Sequence, residues 1–358
     1  MALITGLPDD IARDCLLRIN YDQLSAVASV CKVWRSEITL PEFRRLRILS
    51  GRCQKLIVMV QALVDPNPSV TLFKCSVTPV YRLTLCEPET GIWCDLPPVP
   101  DSATGLPMFC HVVGVGSDLV LIGGWDPMTW KVSQSVYVYD FVSGRWRRGK
   151  DMPGGPRTFF GCASDFHRTV YVAGGHDDEK NALRSALVYD VATDEWIQLP
   201  DMERERDECK AVFHRGKFHV IGGYSTEMQG CFQSSAEAYD VATWKWDRLR
   251  EDFLEEATCP RTCVEGDIDD DEAIYMCRGG EVVRRRDSTW QKVSKLPDEV
   301  RNVAYVTTWK GRLLVIGSAG FGEPHIAFTL DLLKKTWTKI ESPQKFTGHV
   351  QSGCYMEI

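Results

Sequence analysis

Four arginines recur at matching places along the chain. Arg157, Arg206, Arg261 and Arg301 each lie 16–18 residues ahead of a Gly, at 174, 222, 279 and 317. A guanidinium presents a rigid fork of donors that fits a carboxylate bidentately. Four such forks at equivalent points predict a ring that grips acidic groups of a protein substrate. The competing reading ties each Arg to an acid of its own chain, such as Asp207 or Glu208. Metal chemistry has little support. The seven histidines, His111, His167, His176, His214, His219, His325 and His349, are scattered, and the fourteen cysteines include no Cys-x-x-Cys pair. A zinc site is not expected. Cys86, Cys162 and Cys277 sit inside apolar runs and read as small, reduced core residues. The acidic run from Glu265 to Glu272 lacks the sixth-position Gly and closing Glu of a calcium loop, so a solvated turn is expected. No cofactor or metal is predicted.

The elements that would position these arginines repeat. From Val170 to Trp196 an apolar run ends in Gly174-Gly175, a polar loop follows, and a second run ends in Tyr189-Asp190 before Thr193 and Trp196. The same order runs through Gly123-Gly124, Tyr139-Asp140, Ser143 and Trp146, and through Gly222-Gly223, Tyr239-Asp240, Thr243 and Trp246. A fixed Asp-to-Trp offset inside a unit of about 50 residues marks a modular β array. The alternating runs read as short strands. The Gly pair ends a strand where a side chain would block a neighbouring aromatic. Asp with Ser or Thr three residues on suits a side-chain-bonded turn. Trp is large enough to fill the wedge between sheets.

This pattern resembles the kelch repeat, and the resemblance covers most of the chain. Weaker copies appear at Glu87, Thr90 and Trp93, at Asp331 and Trp337, and at Gly279-Gly280 before Trp290. The Trp series at 93, 146, 196, 246, 290 and 337 predicts a six-bladed, all-β propeller over residues 50–358. The run Cys53–Leu63 reads as a second strand whose first is missing. The final His349–Ile358 reads as the strand that completes that sheet and closes the ring.

Residues 1–49 break the β pattern and predict a small all-α domain. Pro8 suits the first helical position, with Asp9 and Asp10 in the first turn. Ile11, Cys15, Leu16 and Ile19 share a helical face. Asp22 is the expected cap of a second helix with Leu24, Val27, Ala28 and Cys31 inward. Trp34 and Ile38 belong to a third helix, and Pro41 starts a fourth carrying Phe43 and Leu46. The leading Leu7-Pro8, the stretch Val30-Cys31-Lys32-Val33-Trp34-Arg35 and the trailing Phe43 resemble an F-box. That resemblance implies docking on a Skp1-like adaptor, and through it on a cullin. Leu7, Pro8, Ile11, Leu16, Val30 and Trp34 would form or support the contact. For Trp34, core packing is an equal reading. Cys31 stands where many F-boxes have Ser, and either fits a small buried site.

The net charge of −7 argues against a nucleic-acid partner. No run is apolar enough to cross a membrane, no signal peptide is evident, and Pro68 disqualifies Asn67-Pro68-Ser69 as a glycosylation site. Cytoplasm or nucleus is the expected location. Two sets of loops vary most among the repeats, one after each Gly pair and one before each first strand, and propellers carry both on one face. Trp125, Trp130, His176, Tyr224, Phe232 and Phe321 lie in them, and aromatics of this kind anchor protein interfaces.

The resemblance of the whole chain is to the plant F-box/kelch family. It implies a non-catalytic substrate receptor of an SCF-type ubiquitin ligase, which concentrates a protein target near the ubiquitin-carrying enzyme. The Cys-Leu-Leu-Arg of the first helix and the Ala-Ser-Val-Cys-Lys-x-Trp stretch resemble the subgroup that targets phenylalanine ammonia-lyase or type-B response regulators. Two other readings compete. Some kelch-type propellers are copper oxidases, which need a Cys/Tyr/His site that this scatter of His does not supply. A kelch scaffold whose helices have no ligase role is the other.

Overall fold

The computed structural model describes residues 2–64, 78–100, 102, 105–266, 273–286 and 288–358. Both Asn67-Pro68-Ser69 and most of the acidic run, residues 267–272, lie outside the described residues. Four helices come first: α1 (Asp9–Leu17), α2 (Leu24–Val30), α3 (Lys32–Ile38) and α4 (Pro41–Leu49). Pro8 is the N-cap of α1 rather than its first residue, and Asp22 sits inside a short 3-10 turn ahead of α2. The buried stripe of α1 is Ala12, Leu16 and Leu17, so Ile11 and Cys15 face solvent, against expectation. Cys31 is exposed too. It is the N-cap of α3, its sulfur accepting from the Trp34 amide at 3.4 Å. A cap needs an acceptor, which is why Ser suits the same place.

Six four-stranded antiparallel sheets follow. The first takes its inner strand from the end of the chain: Val350–Glu357 pairs with Lys55–Ala62, from Lys55 opposite Glu357 to Gln61 opposite Val350. This covers the edge that an open ring would leave. The inner strands, such as His111–Val115, Gly161–Ser164 and Lys210–His214, pack against one another around the axis.

The six Trp side chains do more than fill the wedges. Each indole Nε1 donates to a carbonyl on the link leaving the preceding sheet. The pairs are Trp146 to Pro97 at 3.0 Å, Trp196 to Lys150 at 2.9 Å, Trp246 to Pro200 at 2.7 Å, Trp290 to Phe253 at 2.8 Å and Trp337 to Lys295 at 2.8 Å. Trp93 to Glu341 at 3.1 Å completes the circuit. In the turns before Trp146, Trp196, Trp246 and Trp337 the acid accepts the turn amides. Before Trp93 the Thr90 hydroxyl instead accepts from the Ile92 amide and donates to Glu87. Asp190 Oδ1 accepts from the amides of Ala192 and Thr193, and Asp331 Oδ1 from those of Leu333 and Lys334. In the four Asp turns only the carboxylate is needed, so Lys334 serves where other repeats have a hydroxyl.

The Gly pairs also need more than room for an aromatic. A Cβ on Gly174 would meet Arg206 O at 2.3 Å, and one on Gly175 would meet Thr158 O at 2.2 Å; both residues have positive φ. The loop before an inner strand therefore lies directly on the pair. Gly279-Gly280 differs. With φ of 56° and 77° and nothing near either Cα, it closes a two-residue hairpin between Ile274–Arg278 and Glu281–Arg286. The fifth sheet thus lacks the long loop of its neighbours.

The helices sit on the propeller through the turn of the second sheet. Val142 packs with Leu3, Ala12, Leu16, Leu17 and Phe43, and the Tyr21 ring meets Phe141 edge-on at 6.2 Å. Buried Arg47 of α4 bonds Leu17 O at 3.0 Å, Ile19 O at 2.6 Å, Gln54 Oε1 at 2.8 Å and Ile358 O at 3.2 Å. One guanidinium thus satisfies carbonyls at the end of α1 and joins α4 to the strand that closes the ring.

Candidate functional site: two opposed faces

The two variable loop sets do meet on one face. Isolated bridges pair Met108 with Trp125, Thr158 with His176, and Asp207 with Tyr224. The helices touch the turn Phe141–Gly144, at the other end of the same strands, so they occupy the opposite face. Arg44 and Ile48 of α4 line the central channel together with the hairpin turns at Gly116, His167 and Gly216. The channel has a volume of about 1350 Å³, and its mouth on the loop face is lined by Phe109, Phe159, Glu208, Arg261 and His349.

On the helical face, Leu7, Pro8, Ile11 and Val30 are exposed, Val30 by 61%. These are the apolar groups free to meet a partner. Leu16 is buried at 2% and belongs to the helical core. Trp34 is half-buried, packs on that core and donates from Nε1 to Leu3 O at 2.7 Å. Both shape the surface from within.

The loop face corrects the arginine ring. Arg157 is buried, its Nη1 donating to Gly174 O at 3.0 Å and Ser185 O at 2.9 Å. Burial pushes its pKa down to about 10. Arg206 is fully buried, donating to Gly222 O at 2.7 Å, Ser235 O at 3.1 Å and Glu237 Oε1 at 3.1 Å. Each fills the end of its own sheet, satisfying Gly174 O or Gly222 O and sharing Ser185 O or Ser235 O with the amide of Gly174 or Gly222. The acid that Arg206 meets is Glu237, not Asp207 or Glu208. Arg261 and Arg301 do reach the surface, but by different routes. Arg261 Nη2 donates to Val303 O of the next sheet at 2.7 Å, and Arg301 anchors by its backbone amide to Ser318 O at 3.0 Å. Four equivalent guanidiniums around the mouth do not exist.

His176 and Tyr224 are also committed. His176 Nε2 lies 2.8 Å from Thr158 Oγ1, and its Nδ1 lies 2.8 Å from Asp207 Oδ2. Hydroxyl, imidazole and carboxylate stand here in the order of a nucleophilic relay. Thr158, however, is only 2% exposed, and the chain of bonds ties the third blade to the fourth. Tyr224 is buried, donates to Glu208 Oε1 at 2.9 Å and meets Phe232 edge-on at 5.4 Å. Burial, then that carboxylate, raises its pKa.

Trp125 and Trp130 belong to a cluster whose other members the sequence did not reveal. Phe109 lies 4.8 Å from Phe159 and 5.7 Å from Trp125, and Trp125 lies 6.3 Å from Trp130, which is 59% exposed. Phe321 is fully exposed and makes no ring contact among the described residues. Phe109, Phe159 and Glu208 occupy one repeat position, just before an inner strand, with φ of 59°, 51° and 49°. That column mixes two aromatics with an acid, so composition gave no signal. The nearby thiols are inert at neutral pH: burial pushes Cys110 and Cys162 up to about 12 and Cys209 up to about 11. Among the described residues no group of three or more His, Cys, Asp or Glu is placed to hold a metal ion.

Comparison with known proteins agrees with this two-part plan. Residues 4–56 match the F-box domain, and residues 108–291 match the KLHDC2/KLHL20/DRC7 Kelch-repeats domain. The F-box/kelch-repeat protein At1g15670 of Arabidopsis thaliana is 52% identical over the full length of both chains, and At1g80440 of the same plant is 50% identical over the full length of both. SKIP20, also of Arabidopsis thaliana, is 37% identical over 69% of this chain and 66% of its own. With helices that match an F-box, blades that match kelch repeats, and relatives alike from end to end, the chain belongs to the plant F-box/kelch-repeat family.

Proposed function

We propose that the chain is a substrate receptor of an SCF-type ubiquitin ligase. Its F-box helices dock on a Skp1-type adaptor, and its loop face captures a protein target for ubiquitination. The observation that carries this reading is the opposition of two exposed surfaces. Leu7, Pro8, Ile11 and Val30 stand on one side of the propeller, and the cluster around Trp125 and Trp130 on the other. A receptor needs both surfaces free at once. The propeller between them fixes the distance from target to ligase and so raises the local concentration of reactive partners. The chain itself supplies no catalytic group in this reading. Within the class, phenylalanine ammonia-lyase and type-B response regulators are the first targets to try, on the likeness of the first helices alone.

The test is a pull-down of the full chain with a purified Skp1-type adaptor, beside Ile11→Asp and Leu7→Ala/Pro8→Ala. These residues are exposed, so the variants should fold. Capture by the wild type that falls at least about tenfold in the variants is the expected result. Equal capture, or none by the folded wild type, overturns the reading in favour of a scaffold.

A further inference from the structure

We propose that the loop-face mouth of the channel selects a basic target segment: an Arg or Lys side chain beside an apolar one, with the cation on Glu208 and the apolar group on Phe109 and Phe159. This rests on the loop face being the target-binding face.

Three side chains are aimed at this mouth at a conformational cost. Phe109, Phe159 and Glu208 all adopt left-handed backbone, which bulky residues avoid. All three line the same cavity. Glu208 is the partly buried carboxylate of the set. One oxygen accepts from Tyr224 at 2.9 Å, and no described Lys, Arg or His lies within ion-pair distance of it. A half-buried carboxylate with a free oxygen invites a cation. Phe109, 43% exposed and tilted against Phe159, offers apolar surface for the alkyl stem or for a neighbouring residue. Arg261, in a blade next to that of Glu208, also lines the mouth, with its Nη2 held by Val303 O at 2.7 Å.

The wider rim has the same sign. Most arginines of this face are already spent: Arg157 and Arg206 inside the blades, Arg184 on Asp201, Arg204 on Glu251, Arg278 on Glu255. Asp178, Glu227, Glu256, Glu299 and Glu323 remain exposed without an ion pair among the described residues. Lys131, Lys180, Arg261 and Arg301 oppose them, one fewer. A target segment approaching this rim is steered in if it is basic. The arginine spacing pointed to acidic targets, and burial of those arginines reverses the sign.

The test selects a randomised dodecapeptide library, displayed on phage, on the adaptor-bound full chain and in parallel on the chain alone. Glu208→Gln keeps shape and backbone, and Phe109→Asn keeps a residue that tolerates left-handed φ. Enriched peptides should carry Arg or Lys within a few residues of an aromatic or aliphatic side chain. Their affinity should fall about tenfold in each variant, with thermal unfolding unchanged. Acidic winners, no enrichment, or equal affinity for Glu208→Gln overturns the proposal. Adaptor capture is scored in the same sample, so loss of the receptor reading shows up separately from loss of the basic selectivity.

Discussion

Arg206 donates from Nε to Glu237 Oε1 at 3.1 Å, and neither side chain reaches solvent. Glu237 in turn accepts from the amides of Glu203 at 2.6 Å and Arg204 at 3.2 Å. The pair therefore organises the loop that leads into the fourth sheet. Arg206→Ala would leave the buried Glu237 carboxylate without its cation and Gly222 O without this donor, while Ser235 O keeps the Gly222 amide. Breaking such a pair costs about 3–5 kcal/mol. The expected outcome is a large fall in denaturation midpoint. Loss of target capture should track the unfolded fraction and vanish at low temperature. Arg206→Lys keeps the charge but not the fork, and should fall between. Denaturant titration of the three forms checks the order; an unchanged midpoint for Ala would refute it.

Arg206 also shows what the sequence could tell. Repetition exposed the blades, because Trp, Gly-Gly and Tyr-Asp recur for reasons of packing that act alike in every sheet. The closing strand was legible for the same reason, as one strand too many at the end and one too few at the start. Direction was not legible. A repeated Arg looks the same whether it faces solvent or fills its own sheet, and only the positions of Gly222 O and Ser235 O decide. Phe109, Phe159 and Glu208 were missed because a shared backbone conformation, not a shared side chain, relates them. Ile11 reads as inward from sequence because α1 is apolar on two sides, and the helix core takes only one of them.

Asp118 is paired in register with Asp140, carboxylate opposite carboxylate. The equivalent partner of the turn acid is Lys217 opposite Asp240, bonded at 3.1 Å, and Arg312 opposite Asp331. Burial, then Asp140, pushes the Asp118 pKa up to about 6. A carboxyl raised in the fold adds stability at low pH that is lost as pH rises through that value. Asp118→Asn should therefore raise the melting temperature above pH 6 and have little effect below pH 4. Asp118→Lys should add about 0.2–1 kcal/mol by giving this blade the cation–acid pairing of the fourth and sixth blades. Calorimetric scans at pH 7.5 and pH 4 decide. A destabilised Asn variant at the higher pH would show that Asp118 has a cationic partner worth more than the repulsion.

Three imidazoles are held neutral by burial. His111 is pushed down to about 3, and His219 and His325 to about 4. Neighbouring groups add to this: Lys210 for His111, the His214 ring and then Arg250 for His219, and the His349 ring for His325. Burial lowers the pKa of the His214 and His349 rings too. In the unfolded chain these rings take up protons near pH 6.5. Between pH 6.5 and about 4 the unfolded state binds more protons than the fold, so stability falls as pH falls. Carboxylates held low, such as Asp190 beside Arg168, lose their contribution only further down. His219, 9% exposed, should by itself contribute about 1–3 kcal/mol to the loss. The melting temperature should thus decline from pH 7 to pH 5, where exposed carboxylates are still ionised. His219→Gln with His325→Gln should flatten that decline, whatever the variants cost at pH 7. A slope that survives both substitutions would assign the acid sensitivity elsewhere.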